Sequence, residues 1–112
     1  MLEELRSHPQ LILEVVSYSH RINDAVAQHK AVARLVDGST LHINEVWIEG
    51  ELRKYAYYQV TPTGDVVQGW DNASHHRGVS TYPHHYHGAA GVEASTVRSL
   101  TDALSHLAAQ LT

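Results

Sequence analysis

Between Lys30 and Trp70, apolar and polar residues alternate in short runs, "KAVARLV", "TLHINEVWI", "RKYAYYQV" and "DVVQGW". Such alternation, in β-branched and aromatic residues, suits strands with one buried face. The runs are separated by "VDGST" at 36–40, "EGE" at 49–51 and "TPTGD" at 61–65. Each break places a glycine where a tight turn needs a positive φ. The pattern predicts a four-stranded antiparallel meander.

The segment "LILEVVSYSHRI", residues 11–22, fits two periods. Val15, Val16, Tyr18 and Ile22 favour a fifth strand, whereas Leu11, Val15 and Tyr18 also fall at helical spacing. The opening "LEELRSH" reads as a short helix stopped before Pro9. Near the other end, Ser99 and Asp102 stand in capping-box spacing, and Leu100, Leu104, Leu107 and Leu111 form one apolar stripe. That helix is expected to cover one sheet face, because so small a sheet would otherwise leave apolar surface wet. The predicted fold class is α+β: a four- to five-stranded antiparallel meander, a C-terminal helix across it and a short N-terminal helix. The stretch from Asn72 to about Val97 shows no clear period and reads as one long loop.

The 112 residues suit a single domain. The chain contains no cysteine, which removes disulfides, thiolate metal sites and cysteine nucleophiles and suits a cytoplasmic setting. The acidic start, with Glu14 interrupting the apolar run, indicates neither a signal peptide nor a membrane span. A formal charge of −4 is the wrong sign for a general nucleic-acid binder. Protonating all ten histidines would bring it to +6, although clustered imidazoles resist charging together.

Five of those histidines, His75, His76, His84, His85 and His87, fall within thirteen positions. Isolated histidines such as His8, His20, His29 and His106 read as ordinary surface residues; the cluster points to chemistry. One reading is a divalent transition metal such as zinc. In an extended segment His85 and His87 share a face, and His76, His75 or Asp71 supplies a third ligand, leaving an open position. The His-Glu-x-x-His pattern of zinc proteases is absent. The other reading is metal-free acid and base catalysis of RNA cleavage, with Arg77 as the phosphate contact and Tyr82 or Tyr86 stacking a base.

Two carboxylates bear on the choice. Glu45 alternates with Leu41, Ile43 and Trp47, so it is an acid on an apolar face that needs a partner: a strand arginine, Arg34 or Arg53, or a histidine it orients. Asp71 follows Trp70 at the end of the last run, where it either buttresses an imidazole or closes a turn with Asn72. Tyr55 and Tyr57 share one strand face, and Lys54, Ala56 and Tyr58 the other. Tyr55 and Tyr57 read as packing residues, or as ligand contacts if their face binds.

The stretches "LVDGSTLHINEVW", "RKYAYYQVTPTGDVVQGWDNASHH" and "TYPHHYH", followed by a helix, resemble the TumE-like family of small toxin–antitoxin proteins over residues 34–111. The family's marks fall on Asp37, Gly38, Ser39, Glu45, Tyr55, Tyr57, Asp71, Asn72, His75, His76, Pro83, His84, His85 and His87. Ser74 stands where the family usually has proline, Asn44 where a basic residue is common, and Tyr58 where histidine is common. The departures predict one phosphate contact and one imidazole fewer. The first third carries no matching signature. The resemblance implies a toxin, neutralised by a helix-turn-helix-type antitoxin from a neighbouring gene and, by analogy with other small toxins, acting on RNA.

The expectation is therefore a histidine-dependent ribonuclease toxin in which all five clustered histidines meet near Asp71 and Glu45. The alternative is a non-catalytic metal- or partner-binding module in which the histidines clip a loop in place. Free strand edges also suit a homodimer.

Overall fold

The computed structural model describes all 112 residues. The elements run α1 (Leu2–Arg6), β1 (Ile12–Asn23), β2 (Val26–Leu35), β3 (Thr40–Ile48), β4 (Glu51–Val60), β5 (Val66–Asp71), β6 (His85–Gly88), β7 (Gly91–Ala94) and α2 (Leu100–Leu111). The strands form one antiparallel sheet in sequence order.

The sheet therefore has seven strands, where alternation predicts four or five. Residues 12–23 are the fifth, settling that segment in favour of strand. It pairs along its whole length with β2 and leaves Leu13, Val16 and Ile22 exposed, so burial gives this edge strand no clean period. The other two lie in the stretch read as a loop. β6 and β7 have four residues each, and β6 is "HYHG". Only Tyr86 of this short strand faces the helices, between imidazoles on the open face, so no run of apolar alternation announces it.

Both helices lie on one side of the sheet. Leu5 of α1 and Leu100, Ala103, Leu104 and Leu107 of α2 join one buried cluster with Ala31, Ala33, Leu41, Ile43, Tyr55, Tyr57 and Trp70. Ser99 caps α2, its hydroxyl accepting from the Asp102 N–H at 3.3 Å, as the spacing predicts. The Asp102 carboxylate accepts instead from the Arg98 N–H at 2.9 Å, one residue before the partner an ideal capping box would use.

Cross-strand register sorts every strand residue onto one of two faces, since a pair directly opposite shares a face. Ile43, Tyr57, Trp70 and Tyr86 lie in one row on the helix-covered face. Lys30, Asn44, Ala56, Asp71 and His85 lie in one row on the open face. Tyr58, Gly69 and His87 form the neighbouring open-face row.

Candidate acid–imidazole site

Asp71, the last residue of β5, is buried and has all its neighbours within the open face. Its Oδ1 lies 2.7 Å from Nε2 of His85 and accepts from the Ala73 N–H at 3.0 Å. Its Oδ2 lies 3.3 Å from Nε2 of His87 and accepts from the Tyr58 hydroxyl. One carboxylate thus gathers groups from β4, β6 and the segment after β5.

The Nδ1 of His85 lies 2.9 Å from the Pro83 carbonyl oxygen. A carbonyl only accepts, so Nδ1 is the donor to it, and Nε2 is turned toward the carboxylate. His85 is only 2% exposed, so its ring and Asp71 form a buried, closely spaced pair. The ring of His76 packs edge-on against both neighbours, with centroids 4.9 Å from His85 and 5.5 Å from His87.

His87 differs from His85 in access, being about one-third exposed. Burial holds its pKa below the ordinary 6.5, with His85 and His76 adding to the shift and Asp71 opposing it. The ring is therefore neutral at neutral pH. Its one proton sits on Nε2, facing Asp71, which leaves Nδ1 with a bare lone pair.

Tyr58 reaches Asp71 because position 69 has no side chain. A Cβ there would lie 2.1 Å from Cδ1 of Tyr58, so the ring lies across the backbone of Gly69. Burial is the largest influence on the Tyr58 hydroxyl and, with donation to Asp71, raises its pKa and keeps it a donor. Sequence reasoning marks Tyr58 only as a departure from the resemblance, where an imidazole is lost, and does not pick out Gly69. The available signal is the strand alternation, which sets Tyr58 opposite in face to Tyr57, together with a glycine inside the strand pattern "VVQGWD".

Of the five clustered histidines, two contact Asp71 and a third, His76, packs against both of them. His84 faces the helix side, where its Nδ1 lies 2.7 Å from the Tyr55 hydroxyl and its ring stacks on Tyr55. Burial first, then Arg98 and His85, lower its pKa. His75 is exposed and lines a groove beside Lys54 and Ala73. Glu45 also belongs to the helix-covered face, away from Asp71, and pairs with neither Arg34 nor Arg53. It accepts from the Tyr57 hydroxyl at 2.6 Å and the Trp47 indole N–H at 3.0 Å. Arg34 is engaged by Glu14, and Arg53 by Glu51.

Among the expected substrate contacts, Tyr55 and Tyr57 are buried under the helices. Burial pushes the Tyr55 hydroxyl up to about 12. Tyr86 lies on the same covered side and donates to Gln68 at 2.9 Å. Asn72 clamps the end of β4, its Nδ2 donating to the Arg53 carbonyl at 3.0 Å and its Oδ1 accepting from the Tyr55 N–H at 2.9 Å. Arg77 and Tyr82 stand exposed on the segment between β5 and β6.

Ring nitrogens of His76, His85 and His87 all lie within 4.8 Å of one another, close enough for one ion to reach all three. The Pro83 carbonyl on Nδ1 of His85 is the kind of outer contact that aims the opposite nitrogen at a metal. A proton and a cation would therefore compete for the space between His85 and Asp71.

A helix-backed antiparallel sheet with an acid–imidazole cluster on its open face defines a small α+β protein. The chain belongs to the TumE toxin family: the model of the family described as Toxin TumE matches residues 2–111. The match includes the first third, where no motif stands out in the sequence. Membership supports a toxin role and implies an antitoxin partner. Comparisons with curated proteins and with solved structures find no match. No helix is long and apolar enough to cross a membrane.

Proposed function

We propose that this toxin cleaves RNA by metal-free transphosphorylation at the Asp71 cluster. Nδ1 of His87 takes the proton of a ribose 2′-hydroxyl, and the 2′-oxygen attacks the adjacent phosphorus. The bond to the 5′-oxygen breaks as protonated His76 donates to that oxygen. The products are a 2′,3′-cyclic phosphate and a 5′-hydroxyl. Asp71 holds the Nε2–H of His87 and stabilises the imidazolium that forms, while His85 and Tyr58 hold Asp71 in place. Arg77, exposed beside His76, serves the non-bridging phosphate oxygens.

The observation that carries this reading is the pairing of His87 Nε2 with Asp71 Oδ2 at 3.3 Å. It leaves the accessible ring's other nitrogen bare, with a second imidazole alongside. The test is cleavage of RNA by purified protein. His87→Ala and His76→Ala each lower the rate about 100- to 10,000-fold, with melting temperatures near that of the parent, while His84→Ala retains cleavage. Undiminished cleavage by His87→Ala would falsify the assignment.

The approach of three ring nitrogens to within 4.8 Å favours one second reading, a metal-binding module in which a divalent ion clips the histidine segment to the sheet. Stoichiometric zinc in tag-free protein, with a melting temperature that drops on chelation and no RNA cleavage, would select it. In either reading we assign neutralisation to an antitoxin of the helix-turn-helix type.

A further inference from the structure

The net charge of −4 conceals an uneven distribution. Register places Arg21, Lys30 and Lys54 on the open face, all exposed and none ion-paired. Glu14, Glu51 and Asp71 are the acids of that face, and each already has a partner, in Arg34, Arg53 and His85. The remaining acids lie on turns, on the helices or on the helix-covered face. The open face therefore carries unpaired positive charge on an acidic protein.

The face is also shaped. Ala56 is the smallest side chain of the row Lys30, Asn44, Ala56, Asp71, His85, so the row dips. His42 and Tyr58 rise on one side of it and Val46 and Lys54 on the other. Two concavities of about 440 and 450 Å³ share Asn44 and Ala56; one reaches Lys30, and the other reaches Asp71 and His75. Three interstrand steps separate Lys30 from Asp71, about 14 Å at the usual strand spacing.

We infer that this groove is the track on which a single strand of RNA lies across β2–β5, leading its phosphodiester to the Asp71 cluster. The inference rests on the ribonuclease reading for what happens at the end of the track. Lys30 and Lys54 contact phosphates, Asn44 offers a polar group on the floor, and the exposed faces of His42 and Tyr58 give bases a surface to stack on. Stacking against aromatic faces combined with a cationic groove is the general solution for holding a single strand with little sequence preference. A duplex has its bases already stacked and cannot use the ring surfaces.

The test uses a fluorescent 2′-O-methyl RNA oligonucleotide, which cannot undergo transphosphorylation, so that binding is read separately from cleavage. Fluorescence anisotropy at several salt concentrations compares the full-length protein with Lys30→Gln/Lys54→Gln and, on the helix-covered side, with Arg6→Gln. The expected result for the double variant is a loss of affinity of tenfold or more. The slope of log affinity against log salt should also become shallower by about 1.4, two phosphate contacts at about 0.7 each for a single strand. Arg6→Gln should bind as the parent does. Both lysines are exposed, and thermal melts of the variants confirm folding.

Equal binding by the double variant and the parent overturns the track, as does an equal loss in Arg6→Gln, which would mark diffuse attraction. Failure of the parent to bind the oligonucleotide, with an acidic peptide binding instead, assigns the face to a protein partner and likewise overturns it. Binding as expected without cleavage of unmodified RNA would leave the track standing and remove the ribonuclease reading.

Discussion

Asp71 and His85 stand directly opposite one another on β5 and β6, with Oδ1 of the one 2.7 Å from Nε2 of the other. Fourteen positions apart in sequence, they form a buried pair whose far end is fixed by the Pro83 carbonyl. This pair holds the short β6 against β5 and gives the carboxylate the orientation in which its second oxygen meets His87 and Tyr58.

Removing His85 and removing His87 should have different consequences. His85→Ala removes the closest partner of a buried carboxylate, which keeps only the Tyr58 hydroxyl, the Ala73 N–H and His87, so a loss of about 1–3 kcal/mol is expected, a sizeable part of the stability of a domain this size. His87 is partly exposed and makes a longer contact; His87→Ala should cost under about 1 kcal/mol while abolishing growth arrest. Urea unfolding of the two variants, beside growth on induced expression, checks the split. Equal destabilisation would count against separate roles.

Gly69→Ala probes the approach of Tyr58. The added methyl collides with the Tyr58 ring, which must swing off Asp71, and overpacking of this kind costs about 1–3 kcal/mol. The combined Gly69→Ala/Tyr58→Ala variant removes the collision and should be more stable than Gly69→Ala with Tyr58 in place. Additive losses in calorimetry would show that the two residues do not contend for the same space.

Glu45 was expected to orient a histidine or to pair with a strand arginine, and it does neither. Its two hydrogen bonds, from Tyr57 and Trp47, lie on the helix-covered side. Glu45→Gln should therefore lower the melting temperature, since a strong acceptor in a buried network is weakened, yet leave cleavage per folded molecule unchanged. A selective loss of cleavage at parental stability would tie Glu45 to the reaction.

Legibility in the sequence followed burial. Where one strand face is packed under helices, as in "TLHINEVWI" and "RKYAYYQV", the alternation is written in leucine, isoleucine and tyrosine and the strands can be read directly. The stripe of α2 is legible for the same reason. β1 has little buried surface to impose a pattern, and β6 writes its alternation in histidine and tyrosine, which no hydrophobic template recognises. The site divides in the same way. His76, His85, His87 and Asp71 stand out by residue type, and alternation already sets Glu45 on the apolar face of β3, whereas sending His84 to that face and the other imidazoles to the open one requires the pairing of β5 with β6, which the sequence does not display. Gly69 escapes because it looks like an ordinary strand residue, and Tyr58, noticed only as the loss of an imidazole, gains its part once the two are placed side by side.

Acid should weaken the fold. Burial is the leading cause that holds His29, His84 and His87 below the ordinary value of 6.5. Near and below that pH the unfolded chain takes up protons that the folded chain resists, so stability from these groups is present above pH 6.5 and lost as pH falls through it. Thermal melts from pH 8 to pH 5 should be level at the alkaline end and decline below about 6.5. A melting temperature that holds steady or rises on acidification would contradict the assignment of three neutral imidazoles.

The most direct test of the Asp71 centre is the chemistry of the ends it leaves. Purified protein is incubated with RNA in excess chelator and the new termini are identified by mass spectrometry. Catalysis by His87 and His76 predicts 2′,3′-cyclic phosphate and 5′-hydroxyl ends, with no cleavage beside a 2′-deoxynucleotide. Ends bearing 3′-hydroxyl and 5′-phosphate, or cleavage that the chelator stops, would contradict it.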